Sequence, residues 1–291
     1  MLINGTCIRC QMDKHLKACP ESASAEERAL YEERLQKAAA ESALLSAPEL
    51  SGRMDAIQKE LFGPPADFSK IKRHFNQLML GLMPRMEEKL KKAEDPLKMA
   101  LQLSMMGNYI DFAALEQVSE ETLCQSLDRA PEVTLDEALK RRLQKDVLLA
   151  KRLVYFTDNC GEIACDKLLI SVLRGLNPEL EVTAIVRGSP VVNDATLEDA
   201  KQVGLEDVCQ RVIGNGSGLA GAAPGSMSSE ALSHMREADV VIAKGQGNYE
   251  GLSGCGLNVY YLFMCKCELF TRRFGVPRLT GIMTHEGQEA P

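Results

Sequence analysis

The stretch that most narrows what this chain can fold into is residues 151–166, KRLVYFTDNCGEIACD. Leu153, Val154, Tyr155 and Phe156 form an unbroken apolar run, the pattern of a strand covered on both faces. It stops at Thr157, Asp158, Asn159 and Glu162, with Gly161 supplying a residue that turns freely. Ile163, Leu168, Leu169, Val172 and Leu173 then recur at helical spacing. Strand, polar turn, helix is the unit of an open α/β sheet, whose ligands sit in the crevice beyond the carboxyl ends of the strands. Asp158 and Asn159 place a carboxylate and an amide carbonyl side by side there, hard oxygen donors suited to Mg²⁺ or Mn²⁺. By itself the same dipeptide reads equally as an Asx turn with a helix cap.

The rest of the chain supplies more units of this kind. Residues 182–186 (VTAIV) form a second buried strand that ends in Arg187-Gly188-Ser189-Pro190, and Asp194 lies just ahead of a helix start marked by Thr196 and Asp199. A short third strand, 211–213, enters a glycine-rich loop that lacks the lysine and spacing of a P-loop. The fourth, 239–243 (DVVIA), is followed by Lys244-Gly245-Gln246-Gly247-Asn248-Tyr249-Glu250, and the fifth, 259–264 (VYYLFM), by Cys265-Lys266-Cys267 and a short helix to Phe274. The tail after Pro277 adds no further element on this reading.

Residues 1–150 read as almost entirely helical. One helix spans 24–45, with Ser24 and Glu27 in capping-box register and Pro48 ending it; a second spans 51–62 and stops at Gly63-Pro64-Pro65. A third, 68–90, carries Ile71, Phe75, Leu78, Met79 and Leu82 on one face, with Pro84 as a kink or division. An apolar helix from Pro96 breaks at Gly107-Asn108 and then presents Asp111, and Thr134 with Glu137 opens a helix running to Ala150. The expected fold is therefore α/β: a three-layer α/β/α Rossmann-like sheet over 151–291, with a mostly helical part, 1–150, packed on it.

Composition bounds the function. A formal charge of −7 and a pI near 5.3 argue against a general nucleic-acid binder, and the basic clusters at 89–92 and 140–142 fit solvated helix faces. No apolar run approaches the ~20 residues of a membrane span, and the opening MLINGTCIRC lacks the apolar core of a signal peptide. A cytoplasmic location follows as the expectation, with most of the ten cysteines as reduced thiols. Cys7-x-x-Cys10 with His15 and Cys19 comes close to a zinc knuckle, although the His-to-Cys gap is one residue short. The alternative is a reduced pair at a helix start, near a later cysteine such as Cys267.

Five separated motifs then carry a family resemblance. Gly107-Asn108-x-Ile110-Asp111, Thr157-Asp158-Asn159-x-Gly161-Glu162, Arg187-Gly188-x-Pro190-Val191-x-Asn193-Asp194-x-Thr196, Lys244-Gly245-Gln246-Gly247-Asn248-x-Glu250 and Lys266-Cys267 together resemble the damage-control phosphatases, formerly domain-of-unknown-function family 89. The CxxC near the start resembles their stand-alone bacterial and archaeal branch. The resemblance implies a metal-dependent phosphatase acting on phosphorylated metabolites. It also implies that Asp158, Asn159 and Asp194 hold a divalent cation (Mg, Mn, Co or Ni), and that Asn108, Asp111 and Lys244 line the phosphate and substrate site.

The chemistry asks for the same parts. A phosphate monoester carries up to two negative charges that repel a nucleophile, so a catalyst must neutralise them and hold the attacking group in line. On this reading Lys244 binds phosphoryl oxygens, helped by backbone N–H groups at Gly188, Ser189 and Gly245, and Asp111 or Glu162 orients the nucleophile. Either water attacks directly or Asp158 first forms an aspartyl-phosphate; the absence of an Asp-x-Asp pattern favours the direct route. The expected substrate is a small phosphorylated metabolite, such as a phosphosugar. Two other classes stay open: a carboxyl methyltransferase, and a non-catalytic metal- or metabolite-binding protein in which Cys7, Cys10 and His15 matter most.

Overall fold

A computed structural model of the protein describes residues 1–108 and 120–288. Among the described residues seven α-helices precede the first strand: α1 Gly5–Lys17, α2 Ala25–Ala40, α3 Ala47–Phe62, α4 Ser69–Lys92, α5 Pro96–Gly107, α6 Glu120–Asp128 and α7 Glu137–Leu149. Strands and helices then alternate: β1 Arg152–Phe156, α8 Glu162–Leu176, β2 Glu181–Val186, α9 Leu197–Val203, β3 Arg211–Gly214, α10 Ser229–Glu237, β4 Val240–Lys244, α11 Gln246–Leu252, β5 Val259–Met264, α12 Glu268–Phe274 and β6 Gly281–His285.

The six strands form one sheet in the order β3-β2-β1-β4-β5-β6, with β1 to β5 parallel and β6 antiparallel to β5. Alternate residues of each strand face opposite layers. Leu153, Tyr155, Val182, Ala184, Val240 and Ile242 point into a core shared with α4, α5, α7, α8 and α9. Val154, Phe156, Ile185, Val241, Ala243, Tyr261 and Phe263 point into a second core closed by α10, α11 and α12. This is the expected three-layer α/β/α arrangement, and the continuous apolar runs arise because both faces of the sheet are covered. Helices α1 to α3 add a smaller cluster around Tyr31, Leu35, Leu50 and Met54.

Strand order places the site. The chain winds outward from β1 in both directions, so the crevice between β1 and β4 is the topological switch point, where the loops leaving neighbouring strands diverge. Phe156 pairs with Ile185 on β2 and with Ala243 on β4, which sets the carboxyl ends of the three strands level. The turns carrying Asp158, Arg187 and Gly245 therefore open into one crevice.

Several local expectations are corrected. Pro48 opens α3 from within its first turn rather than closing α2, because a proline there gives up an N–H that has no helical partner anyway. The cap of α7 is Asp136, whose Oδ1 accepts from Ala138 and Leu139 N–H, rather than Thr134. α4 runs through Pro84 as one 24-residue helix. The tail is not idle either: 281–285 pairs with β5 as the edge strand β6. The boxes at Ser24/Glu27 and Thr196/Asp199 form as expected. No helix among the described residues is long and apolar enough to cross a membrane.

Candidate active site

Asp158 and Asn159 sit in the turn between β1 and α8, and Asp194 in the loop between β2 and α9. The two loops are laced together: Cys160 N–H donates to Asn193 O at 2.8 Å and Ala195 N–H to Asp158 O at 2.8 Å. An isolated antiparallel bridge pairs Asn159 with Asp194. The three proposed cation ligands are thus brought to one place by backbone pairing. Asp111 lies outside the described residues.

Arg187, at the end of β2 and 2% exposed, joins the two acids. Its Nε donates to Asp194 Oδ2 at 2.5 Å, its Nη2 to Asp158 Oδ1 at 3.3 Å and its Nη1 to Asn248 Oδ1 at 2.9 Å. Asn248 in turn donates to the carbonyls of Thr157 and Lys244, so it pins the ends of β1 and β4. Neither Arg187 nor Asn248 was assigned a role from the sequence. Both stand in the motifs at strand ends, and a charge placed directly after a buried strand was the available signal.

Asn108, the cap at the end of α5, is 1% exposed and reaches in from the helical part. Its Nδ2 donates to Asp158 Oδ2 at 2.9 Å and to Glu162 Oε2 at 2.7 Å, and its Oδ1 accepts from Met264 N–H at 3.2 Å. Asn159 Nδ2 likewise spends both hydrogens, on Asp158 Oδ2 and Glu162 Oε2, which leaves its carbonyl oxygen as the donor atom for a cation.

The structure moves Lys244 and Glu162 from the mouth of the site to its floor. Both side chains are wholly buried and form an ion pair of 2.7 Å. Lys244 Nζ also donates to Ser104 O at 3.0 Å and Asp166 Oδ1 at 2.8 Å, so its three hydrogens are all used within the protein. Burial works against the ammonium, but Asp166 and Glu162 outweigh it and hold its pKa above the usual lysine value. Burial likewise opposes the Glu162 carboxylate, and Lys244 with the two asparagines prevails and lowers its pKa. Asp166, which also accepts from Tyr155 OH and Ser104 Oγ, is shifted up by burial despite Lys244.

The expected backbone donors are engaged as well. Gly188 N–H donates to Ser217 O and Asn215 Oδ1, Ser189 N–H to Ser217 O at 3.3 Å, and Gly245 N–H to Leu262 O at 2.9 Å. Gly245 contributes space instead. Its φ is +81°, and a Cβ built on it would lie 2.0 Å from Asp158 Oδ2, so only glycine fits both the backbone and the acid opposite.

At the mouth, Asp158 is raised from an ordinary aspartate value to about 7, by burial first and then by the charges of Glu162 and Asp194; Arg187 and Lys266 pull it down. Asp194 is also raised, by burial, against Arg187. Asp194, buried, and Asp158, half-buried, are both costly to ionise, and with the amide oxygen of Asn159 beside them they offer a donor set suited to a hard divalent cation. Among the described residues no group of three or more His, Cys, Asp or Glu side chains is arranged to hold a metal ion.

The amino-terminal zinc reading does not fit. His15 is buried with Nδ1 facing Gln11 O at 2.8 Å and Nε2 facing Asp55 at 3.0 Å, so both ring nitrogens are occupied. Cys7 is buried, which raises its thiol to about 11, whereas Cys10 is exposed, so the two do not share one environment. All ten cysteines are free.

Fold and site together define a doubly wound α/β protein with an acid-amide cluster at its switch point. Residues 3–280 match the damage-control phosphatase ARMT1-like domain, and the chain belongs to that family. It is 32% identical over 229 residues to a damage-control phosphatase of Archaeoglobus fulgidus, covering 78% of each chain. It is 33% identical over 201 residues to damage-control phosphatase PH1575 of Pyrococcus horikoshii, covering 66% of this chain and 69% of the relative. The crystal structure of a DUF89 family protein from the same organism shares the fold, with a TM-score of 0.82 at 24% identity over 98% of this chain and 99% of that one. The family match and the two curated relatives support a phosphatase-type hydrolase function.

Proposed function

We propose that the protein is a metal-dependent phosphomonoester hydrolase acting on small phosphorylated metabolites. The observation that carries the reading is the convergence of Asp158, Asn159 and Asp194 on one crevice through hydrogen bonds between two separate strand-end loops. Those three residues would hold a divalent cation, which when bound supplies Lewis-acid neutralisation of the phosphoryl charge.

The protein's own groups divide the remaining work. Arg187 fixes the relative position of the two acids and offsets their mutual repulsion. Asn108 and Asn159 orient Asp158 through its Oδ2. Lys244 and Glu162 act from below, holding those two amides rather than touching substrate. The cation facing the phosphate is then Lys266, half-buried after β5 and close enough to Asp158 to lower its pKa. Asp158, at the mouth, would give its carboxylate to the cation; burial and the charges of Glu162 and Asp194 make that carboxylate costly to ionise, a cost that a bound cation would offset.

Phosphate release from p-nitrophenyl phosphate tests this reading. Activity should vanish after chelation and return with Mg²⁺, Mn²⁺, Co²⁺ or Ni²⁺; equal turnover in chelator would refute metal dependence. A screen of phosphosugars and other phosphometabolites then defines the substrate.

A further inference from the structure

The two loops that carry the acids are also joined from outside the sheet, by one residue of the helical part. Asn76 lies on α4 and is fully buried. Its Oδ1 accepts from Gly161 N–H at 2.6 Å, in the turn that follows Asp158 and Asn159. Its Nδ2 donates to Asp199 Oδ1 at 2.9 Å and to Gln202 Oε1 at 2.9 Å, on the helix that follows Asp194. The amide can point only this way, because a backbone N–H must meet the carbonyl end and two acceptors must meet the NH₂ end. Asp199 carries the connection onward: its Oδ2 accepts from the N–H and hydroxyl of Thr196, two residues beyond Asp194, and pairs with Lys72 Nζ at 2.7 Å.

We infer that Asn76 is a positioning residue, a clamp that sets the distance between the Asp158–Asn159 turn and the Asp194 loop and thereby the affinity of the site for a divalent cation. The inference rests on the metal-dependent reading above. Stability alone does not account for the arrangement. Lys72 and Asp199 form a buried ion pair, which gains little over apolar side chains of similar size while demanding strict geometry. Gly161 has φ +71°, and a Cβ there would sit 3.4 Å from Met79 and 3.6 Å from Phe75, so α4 lies alongside the turn at ordinary packing distance. An amide that holds the Asp158–Asn159 turn on one side and, through Asp199 and Thr196, the end of the Asp194 loop on the other is placed to support the acids without bonding to them.

The test is Mn²⁺ binding, read by the electron paramagnetic resonance signal of the free ion, on wild type, Asn76→Ala and Asn76→Asp. Asn76→Asp keeps an acceptor for Gly161 but turns a carboxylate toward Asp199. Leu50→Ala, in the separate cluster of α2 and α3, serves as a control for general destabilisation. The dissociation constant should rise about 10–100-fold in both Asn76 variants and stay at the wild-type value in Leu50→Ala. A folded Asn76 variant within about twofold of wild type, or an equal rise in Leu50→Ala, would overturn the clamp and leave the metal reading standing. Absence of Mn²⁺ binding by wild type would overturn both. If neither Asn76 variant folds, Lys72→Met, which releases Asp199 from its counter-charge, is judged by the same criteria.

Discussion

Lys244 Nζ donates to Glu162 Oε1 at 2.7 Å in a fully buried pair, and the other oxygen of Glu162 accepts from Asn108 and Asn159. One ammonium beneath the sheet's end thus orients two amides that meet Asp158 above. On the proposed reading, the geometry of the acids at the mouth depends on charge balance at the floor.

Replacing that ammonium should therefore cost both stability and activity. Lys244→Met leaves Glu162 and Asp166 buried without their counter-charge, a loss of about 3–5 kcal/mol. Urea unfolding checks it. Adding Glu162→Gln and Asp166→Asn to the same chain should recover part of the loss, since the three groups act as one network. A Lys244→Met variant as stable as wild type would show that the pair does not hold the floor.

Gly245→Ala isolates shape from charge. The substitution puts a methyl group into the space of Asp158 Oδ2 and strains a backbone at φ +81°. Stability should fall by about 1 kcal/mol or more, and kcat/KM by about 10²-fold as Asp158 is displaced. Steady-state kinetics at saturating Mn²⁺ makes the comparison, and undiminished turnover would place the reaction away from Asp158.

Glu250 gives a pH signature outside the acid cluster. Burial raises its carboxyl from 4.5 to about 7, against Gln246 and the amino-terminal charge. The folded protein therefore holds this proton more tightly than the unfolded chain does. Its contribution to stability is full below the unfolded value of 4.5 and is lost as pH rises to about 7. Glu250→Gln should remove that slope and be the more stable protein at pH 8. Denaturation midpoints at pH 5 and pH 8 decide, and a variant less stable than wild type at pH 8 contradicts the assignment.

Much of this was legible in the chain. β1, β2, β4 and β5 show as apolar runs because each is covered on both faces, whereas the two edge strands, β3 with sequence RVIG and β6 with sequence GIMTH, are only partly buried and carry no such run. Asp158, Asn159, Asp194 and Asn108 were readable because each stands at the end of a strand or helix. Depth was not. Nothing local distinguishes a lysine that rises from a strand end to solvent from one drawn under α5 by Ser104 O and Asp166, a contact between residues 140 positions apart in the first case. Pro48 and His15 were misread for a related reason: a proline marks a helix start as well as a stop, and the spacing of His15 does not reveal that Asp55 on α3 takes its ring.

The most direct measurement is a crystal structure of the protein soaked in Mn²⁺, with anomalous diffraction collected near the manganese edge. The account predicts one peak bound by oxygens of Asp158, Asn159 and Asp194, and its loss in Asp158→Ala together with phosphate release. A peak elsewhere, or an undiminished rate of hydrolysis in Asp158→Ala, would contradict it.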